Sequence, residues 1–116
     1  MMFTEIYLGK ETLVENELGE KTNALVFSPT FFFCMEKSVK SSEFYQAMRT
    51  GLKPEKIISM NKYEYYEYMQ DAIKKVAKVK HTITNQLIEY TILREYEVDS
   101  DNIELTLTRG IEHGSA

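Results

Sequence analysis

The clearest pattern in the chain is an alternation of apolar and polar side chains in its C-terminal third. Over residues 88–98 the even positions are mostly apolar and the odd positions mostly polar, which is the period of a strand with one buried face. Residues 99–102 have the composition of a turn, and residues 103–107 resume the alternation. The pattern therefore predicts a β-hairpin whose two strands are joined by this turn.

Strand-like segments also occupy the N-terminal part. Residues 3–8 form a short β-like run that we expect Gly9 to close, and residues 24–35 carry the strongest strand signal by composition. Because Pro29 cannot donate to a ladder, residues 24–35 are either an edge strand or two strands meeting at a bend. The Glu-rich residues 10–23 between them, with Gly19 as a turn candidate, indicate a solvated acidic loop or a ragged hairpin.

One short helix is marked by its ends, at about residues 43–50. Ser41 or Ser42 can cap its N-terminus, Gly51 can end it and Pro54 prevents its resumption. A strand is predicted at residues 57–61, then a short helix or loop over residues 64–73, then a further strand. The expected architecture is mainly β, a meander of about five or six strands with one helix, in a single domain spanning residues 1–116.

Composition narrows the function classes. The chain has 116 residues, with 14 Lys and Arg against 18 Asp and Glu and a net charge of −4, so a surface that tracks nucleic-acid phosphates is not expected. Cys34 is the only cysteine, which excludes an intramolecular disulfide. The N-terminus lacks the pattern of a signal peptide, and the longest strongly apolar stretch is shorter than the ~20 residues that span a bilayer.

Candidate chemistry is sparse, and no enzyme signature is found. Cys34 lies in an apolar run and could only be paired with His81 or His113, so we expect a buried, inert thiol rather than a nucleophile. These three residues lack metal-ligand spacing, and the five glycines are scattered rather than grouped into a phosphate loop. The sequence therefore predicts no catalytic residue, cofactor or metal.

Two clusters are candidates for binding. A basic cluster downstream of several tyrosines could form a nucleic-acid groove, although a solvated face is the simpler interpretation; it consists of Lys74, Lys75, Lys78 and Lys80. Exposed aromatic side chains could instead form a protein interface, with core packing as the alternative for the tyrosines. The candidate interface residues are Phe31, Phe33, Tyr65, Tyr66 and Tyr68.

Residues 37–55 read KSVKSSEFYQAMRTGLKPE, and this stretch resembles the "SV…SEFYQA…GLKPE" stretch of tailed-phage head-tail joining proteins, also called head-closure or connector proteins. The later "Y.I.R.Y" and "IEL" strands of that family are matched at residues 90–96 and 103–105, followed by Arg109. The resemblance covers roughly residues 39–109, although residues 63–86 are longer than in many relatives and Thr84-Asn85-Gln86 replaces a Gly-containing turn. The residues that carry it are Ser42, Glu43, Phe44, Tyr45, Ala47, Gly51, Leu52, Pro54, Tyr90, Arg94 and Tyr96.

The resemblance implies a small β-barrel or sandwich with a helix packed on it. It further implies a ring of twelve copies that closes the DNA-filled head below the portal and its adaptor and docks the tail terminator protein. Such a protein is made in the bacterial host cytoplasm and resides in the virion neck, without contacting a membrane. DNA would pass through the ring without specific binding, and we expect an acidic channel wall to which Glu15, Glu17 and Glu20 contribute.

Two other functions stay open at this point. One is a different neck or tail-completion protein of the same barrel class, such as a tail terminator. The other is a small-ligand or nucleic-acid-binding β-barrel that uses the tyrosine and lysine clusters.

Overall fold

The computed structural model describes residues 2–37 and 54–109, and these residues form seven strands and one short helix. The predicted helix at residues 43–50 lies outside the described residues. In chain order the elements are β1 (Met2–Glu15), β2 (Lys21–Phe27), β3 (Phe32–Lys37), β4 (Lys56–Asn61), α1 (Lys62–Tyr68), β5 (Lys74–Lys80), β6 (Leu87–Glu97) and β7 (Asn102–Thr108).

Six of the strands close into an antiparallel β-barrel in the order β1-β3-β4-β7-β6-β5. The last pairing joins β5 back to β1, from Ile6 opposite Val79 to Glu11 opposite Lys74. The expected mainly β fold with one short helix is therefore confirmed. Of the barrel and the sandwich that the resemblance implied, the structure is the barrel.

The barrel interior is a packed core. Inward-facing residues alternate along the barrel strands, as the pleat requires, except at a bulge in β6. Aliphatic side chains fill most of the interior, together with two tyrosines, two methionines and a cysteine. The buried cluster consists of Ile6, Leu8, Cys34, Ile58, Met60, Tyr65, Met69, Ala77, Val79, Tyr90, Ile103, Leu105 and Leu107.

The first strand runs further than the sequence predicted. It continues through Gly9 to Glu15 rather than closing at Gly9, because the absent side chain leaves room for two neighbours on the outer face. A Cβ at Gly9 would lie 2.5 Å from Phe27 Cε1 and 2.7 Å from Val76 Cγ2. Glycine here permits a close approach of side chains and does not end the strand.

The predicted bend at Pro29 is confirmed. β2 and β3 lie in line along the same edge of β1, with Phe27 opposite Gly9 and Phe32 opposite Ile6. Between β2 and β3, Ser28 keeps the chain bonded to β1. Its backbone N–H donates to Leu8 O at 2.8 Å, and its side-chain Oγ accepts from Leu8 N at 3.2 Å. Pro29, which has no N–H to donate, lies in this interruption.

The Glu-rich segment is a regular hairpin, so the prediction of a loop is wrong and that of a hairpin is confirmed. β1 and β2 pair over seven positions, from Gly9–Phe27 to Glu15–Lys21. At the tip, Asn16 Oδ1 accepts from the backbone N–H of Leu18 and of Glu20, both at 2.9 Å, and Gly19 adopts φ +82°. We call residues 12–27 the hairpin arm, which comprises β1 beyond its pairing with β5 and the whole of β2.

The helix α1 closes one mouth of the barrel. Asn61 caps its N-terminus, where Oδ1 accepts from Tyr63 N at 2.9 Å and from Glu64 N at 3.0 Å. Tyr65 and the following Met69 point into the core and are buried. The short helix predicted for this region is therefore present, although it starts at Lys62 and ends at Tyr68.

A β-bulge at Leu93 breaks the alternation predicted for residues 88–98. Ile92 pairs with Leu107, but Arg94 and not Leu93 pairs with Thr106. The extra residue exchanges the two faces of the strand, so Glu95 and Glu97 turn toward the barrel mouth and Tyr96 toward solvent. The expectation that the even positions stay on the apolar face is wrong beyond Ile92.

None of the helices in the described ranges has the length and apolar character needed to cross a bilayer.

Candidate functional site

An aromatic patch lies on the outside of the barrel, where β1 pairs with β3. Phe3 and Phe33 are 74% and 69% exposed. Phe31 contacts Phe33 edge-on at 5.1 Å between ring centroids and Tyr7 at 6.4 Å. Four aromatic rings outside the core are more than a stable barrel needs, so Phe3, Tyr7, Phe31 and Phe33, here named the aromatic patch, are a candidate docking surface.

The tyrosines of α1 divide into buried and exposed residues. Tyr65 is fully buried, so its prediction as an interface residue is wrong, since its ring fills the barrel mouth. Tyr66 is exposed and its hydroxyl donates to Glu97 Oε2 at 3.1 Å. Tyr68 is half-buried and its hydroxyl donates to Val26 O at 2.9 Å, which ties α1 to the base of the hairpin arm.

A charged group surrounds the Tyr65 hydroxyl at this mouth. The hydroxyl donates to Glu95 Oε2, and Lys75 Nζ binds the same oxygen at 2.8 Å. Burial, followed by the hydrogen bond to Glu95, holds the pKa of Tyr65 well above its usual range. The phenol is therefore a neutral hydrogen-bond donor, a structural role.

A second charged group lies further out on the same mouth. Lys62 Nζ binds Glu97 Oε1 at 2.9 Å. The hydrogen bond from Lys62, with a second from Tyr66, holds the pKa of Glu97 below its usual range, and the bond to Glu97 raises the pKa of Lys62. These contacts fix α1 over the mouth.

The basic cluster does not form a continuous cationic surface. Lys75 is paired with Glu95, and Lys80 Nζ lies 3.7 Å from Glu5 Oε1. Lys78 Nζ lies 4.2 Å from the centre of the Phe27 ring. Only Lys74 of the four is left exposed without an ion pair or ring contact in the described residues, so the solvated-face interpretation fits this surface better than a nucleic-acid groove.

The predicted buried thiol is confirmed. Cys34 is 3% exposed, and burial, with a smaller contribution from Glu36, raises its pKa to about 12. His81 caps a turn, where its Nδ1 accepts from Ile83 N at 3.2 Å and Thr84 N at 3.3 Å. In residues 2–37 and 54–109 no group of three His, Cys, Asp or Glu side chains could hold a metal ion, and His113 lies outside them.

The residues of the family resemblance fall in three places. Tyr90 is buried in the core with Lys56 Nζ 5.8 Å from its ring centre, whereas Arg94 and Tyr96 are exposed on the outer face after the bulge. Pro54 is buried at the start of the second described range. The remaining ones, Ser42, Glu43, Phe44, Tyr45, Ala47, Gly51 and Leu52, lie outside the described residues.

The two parts of the resemblance meet next to Pro54. Glu55 N donates to Leu107 O at 2.9 Å, and its carboxylate accepts from Arg109 N at 2.5 Å. The end of the GLKPE stretch is thereby held against the end of β7, the strand that contains IEL.

Two unpaired strand edges bear on binding, and the sequence reasoning offered only the first, as the edge-strand alternative for residues 24–35. β2 pairs with β1 on one side only, and no strand of the described residues covers its other side. β6 pairs with β5 only as far as Thr91 opposite Val76, so residues 92–97, here named the open edge, are paired with β7 alone. The apolar residues of the hairpin arm were a usable signal, because Leu13 and Leu25 share one face of a strand pair that a solvated loop would not need.

Comparison with known proteins identifies no relative: no family model, no curated protein and no solved structure matches the chain.

Proposed function

We propose that this chain is a structural neck protein of a tailed-phage virion, which joins the portal and adaptor of the DNA-filled head to the tail as a ring of identical subunits. The observation that carries the proposal is the SEFYQA…GLKPE stretch at residues 37–55. It is followed at the expected spacing by Tyr90, Arg94 and Tyr96. No separate motif of an enzyme competes with it in the sequence.

The outer surface of the barrel supports this proposal. A neck subunit must contact copies of itself as well as different proteins above and below it, and so needs several unlike surfaces. The described residues offer the aromatic patch, the free side of β2 and the open edge of β6 on three different parts of the barrel. The aromatic patch is suited to the unlike partner, since exposed aromatic rings are common anchors of protein interfaces.

The experiment is electron microscopy of particles made without this protein. Filled heads that lose their DNA, beside separate finished tails, are the expected result. Joined, infectious virions would disprove the neck function. Overlong tails on otherwise normal heads would point to a tail terminator, and salt-dependent DNA binding by the purified chain to a nucleic-acid-binding barrel.

Complementation with point variants makes the same experiment specific to the aromatic patch. A Phe31→Ser/Phe33→Ser variant should leave the barrel folded, because both rings lie outside the core, yet fail to restore joined particles. Tyr63→Ser is the matched control, since Tyr63 is also an exposed aromatic residue but lies outside the patch. Equal rescue by the two variants would remove the patch from the proposed docking surface.

A further inference from the structure

We propose that neighbouring copies join head to tail by strand addition, with the hairpin arm of one copy pairing with the open edge of the next. This inference rests on the proposed ring and names the two surfaces that build it. The juxtaposition that carries it is one chain with two unlike free edges, β2 on the arm and residues 92–97 of β6. Among the described residues, unpaired acidic residues lie at the tip beside the first edge, and the unpaired cations Lys74 and Arg94 lie beside the second.

The first step is the match between the two edges. The free side of β2 offers the backbone of seven residues, Lys21–Phe27, and the open edge offers residues 92–97. Unpaired edges of this length are templates for pairing with another chain. Because the edges differ, their pairing is heterologous and can repeat from copy to copy, which is what a ring requires.

The second step is the groove beside the open edge. β5 and β6 diverge at the bulge and leave a groove of about 370 Å³ between Ile73–Lys75 and residues 91–95. Ile73 is 57% exposed there, so the groove offers apolar surface next to unpaired backbone. The arm supplies apolar residues in return, since Leu13, Val14 and Leu25 are all exposed on it.

The third step is charge. The arm ends in Glu15, Glu17 and Glu20, all exposed and without an ion pair in the described residues. At the groove, Lys74 and Arg94 are exposed and likewise make no ion pair there, because Glu95 is taken up by Lys75. Complementary charge favours an acidic segment, such as the arm of a second copy, over a basic or neutral one and helps to set the register.

This arrangement puts the acidic tip at the boundary between subunits. The tip is fixed by Asn16 Oδ1, which accepts hydrogen bonds from two backbone N–H groups, and residues 16–20 are all exposed. Glu15, Glu17 and Glu20 then face the neighbouring Lys74 and Arg94, whereas the resemblance led us to expect them on the channel wall.

The test uses two full-length charge-reversal variants. The arm variant carries Glu15→Lys, Glu17→Lys and Glu20→Lys, and the groove variant carries Lys74→Glu and Arg94→Glu. Alone, each has like charges on both surfaces and should not associate. Mixed, the reversed arm of one fits the reversed groove of the other, and the opposite junction keeps the native charges, so the two variants should associate in alternation.

Association is read by cross-linking. Asn23→Cys on the arm variant and Tyr96→Cys on the groove variant, both with Cys34→Ala, are treated with a short bismaleimide at protein concentrations up to about 1 mM. We expect the mixture to give about tenfold more cross-linked dimer than a like-charge mixture, in which the arm variant meets a Tyr96→Cys/Cys34→Ala chain whose native basic groove repels the reversed arm. Circular dichroism of each variant checks that the barrel is intact, since every changed charge is exposed.

Two results would overturn the inference. One is a mixture that cross-links no better than the like-charge mixture across the whole concentration range. The other is equal cross-linking when the second cysteine is placed at Phe33 in the aromatic patch instead of Tyr96. Neither uses phage particles. Specific cross-linking together with normal virions in the deletion would therefore retain the interface and reject the neck function, whereas a joining defect without cross-linking would retain the neck function and reject the interface.

Discussion

The Tyr65 hydroxyl donates a hydrogen bond to the Glu95 carboxylate across the mouth of the barrel. Two features bring these groups together. The bulge at Leu93 turns Glu95 to the inner side of β6, and α1 places the Tyr65 side chain in the core at the same end of the barrel. The buried phenol of Tyr65 thus joins α1 to β6. Lys75 of β5 binds the same Glu95 carboxylate. Much of the stability of this end of the molecule should depend on the Tyr65 phenol.

Replacing Tyr65 by Phe tests that dependence. The ring still fills the mouth, but Glu95 loses a donor in a partly buried site, so the free energy of unfolding should fall by about 1–3 kcal/mol, as for hydrogen bonds to charged groups. The measurement is urea denaturation at neutral pH with the m-value checked for constancy. Tyr63→Phe is the matched control, since its exposed hydroxyl bonds only Ser100 O at 3.2 Å, and a loss of similar size there would refute the assignment.

Gly9→Ala tests the close approach on the outer face. The added methyl group meets Phe27 and Val76 at distances that no real contact shows, so we expect a loss of about 1–3 kcal/mol from overpacking. In a Phe27→Ala background the loss should shrink by at least half, because one of the two obstacles is gone. Denaturant unfolding of the native chain, the two single variants and the double variant gives this double-mutant cycle. Additive losses of stability would contradict the close approach of Gly9 and Phe27.

Cys34 should make the barrel less stable in alkaline solution. Its pKa is about 12 in the folded chain against an ordinary value of 9.0, so the folded state holds the proton more tightly. Its contribution is complete below pH 9 and is lost as the pH rises from 9 toward 12. Between pH 8 and pH 10 the free energy of unfolding should fall by about 1 kcal/mol on this account.

The measurement is denaturant unfolding at pH 8, 9 and 10 on the natural chain and on Cys34→Ala. The variant lacks the ionising thiol, so its stability should change less over the same range, and parallel curves would contradict the prediction. A thiol reagent at pH 8 should leave the folded chain unmodified and label it fully in guanidinium.

Deleting Leu93 should leave the barrel folded. Ile92 and Arg94 then become consecutive, so the pairs Arg94–Thr106 and Glu95–Leu105 keep their register and their faces. We expect a stability loss of about 1 kcal/mol for the half-buried side chain, similar to that of the control variant Leu93→Ala, which keeps the bulge. The measurement is the near-ultraviolet circular dichroism and denaturant unfolding of both proteins, and a deletion variant that does not fold cooperatively would contradict the assigned register.

The parts of the fold that could be predicted are those where one local pattern decides. The alternation before Ile92, the turn at Asp99 and the interruption at Pro29 follow from side-chain period and backbone chemistry alone. Asp99 Oδ1 accepts from Asp101 N and Asn102 N, both at 2.8 Å, which is the turn chemistry that its sequence indicated. These features need no knowledge of distant residues.

The parts that could not be predicted depend on contacts between distant segments. The sequence around Gly9 predicts the end of a strand. In the structure Gly9 lies inside β1, because the ring of Phe27 packs against the space that a side chain would fill. Likewise, no residue near Leu93 indicates a bulge in the sequence. The bulge turns Glu95 inward, and the residue that Glu95 then binds is Tyr65, 30 positions earlier in the chain. The open edge of β6 was missed for the same reason, because an edge is unpaired only relative to where the other strands end.

Closure of the barrel by β1 and β5 has a kinetic consequence. The pairing of Ile6 with Val79 joins the first strand to a segment far along the chain, and such non-local contacts make folding slow, in the range of milliseconds to seconds. Until β5 pairs with β1, one edge of β1 is unpaired along its whole length. A newly made chain therefore has a period in which it can exchange strands with a second chain, and a high rate of synthesis should favour swapped dimers over closed barrels.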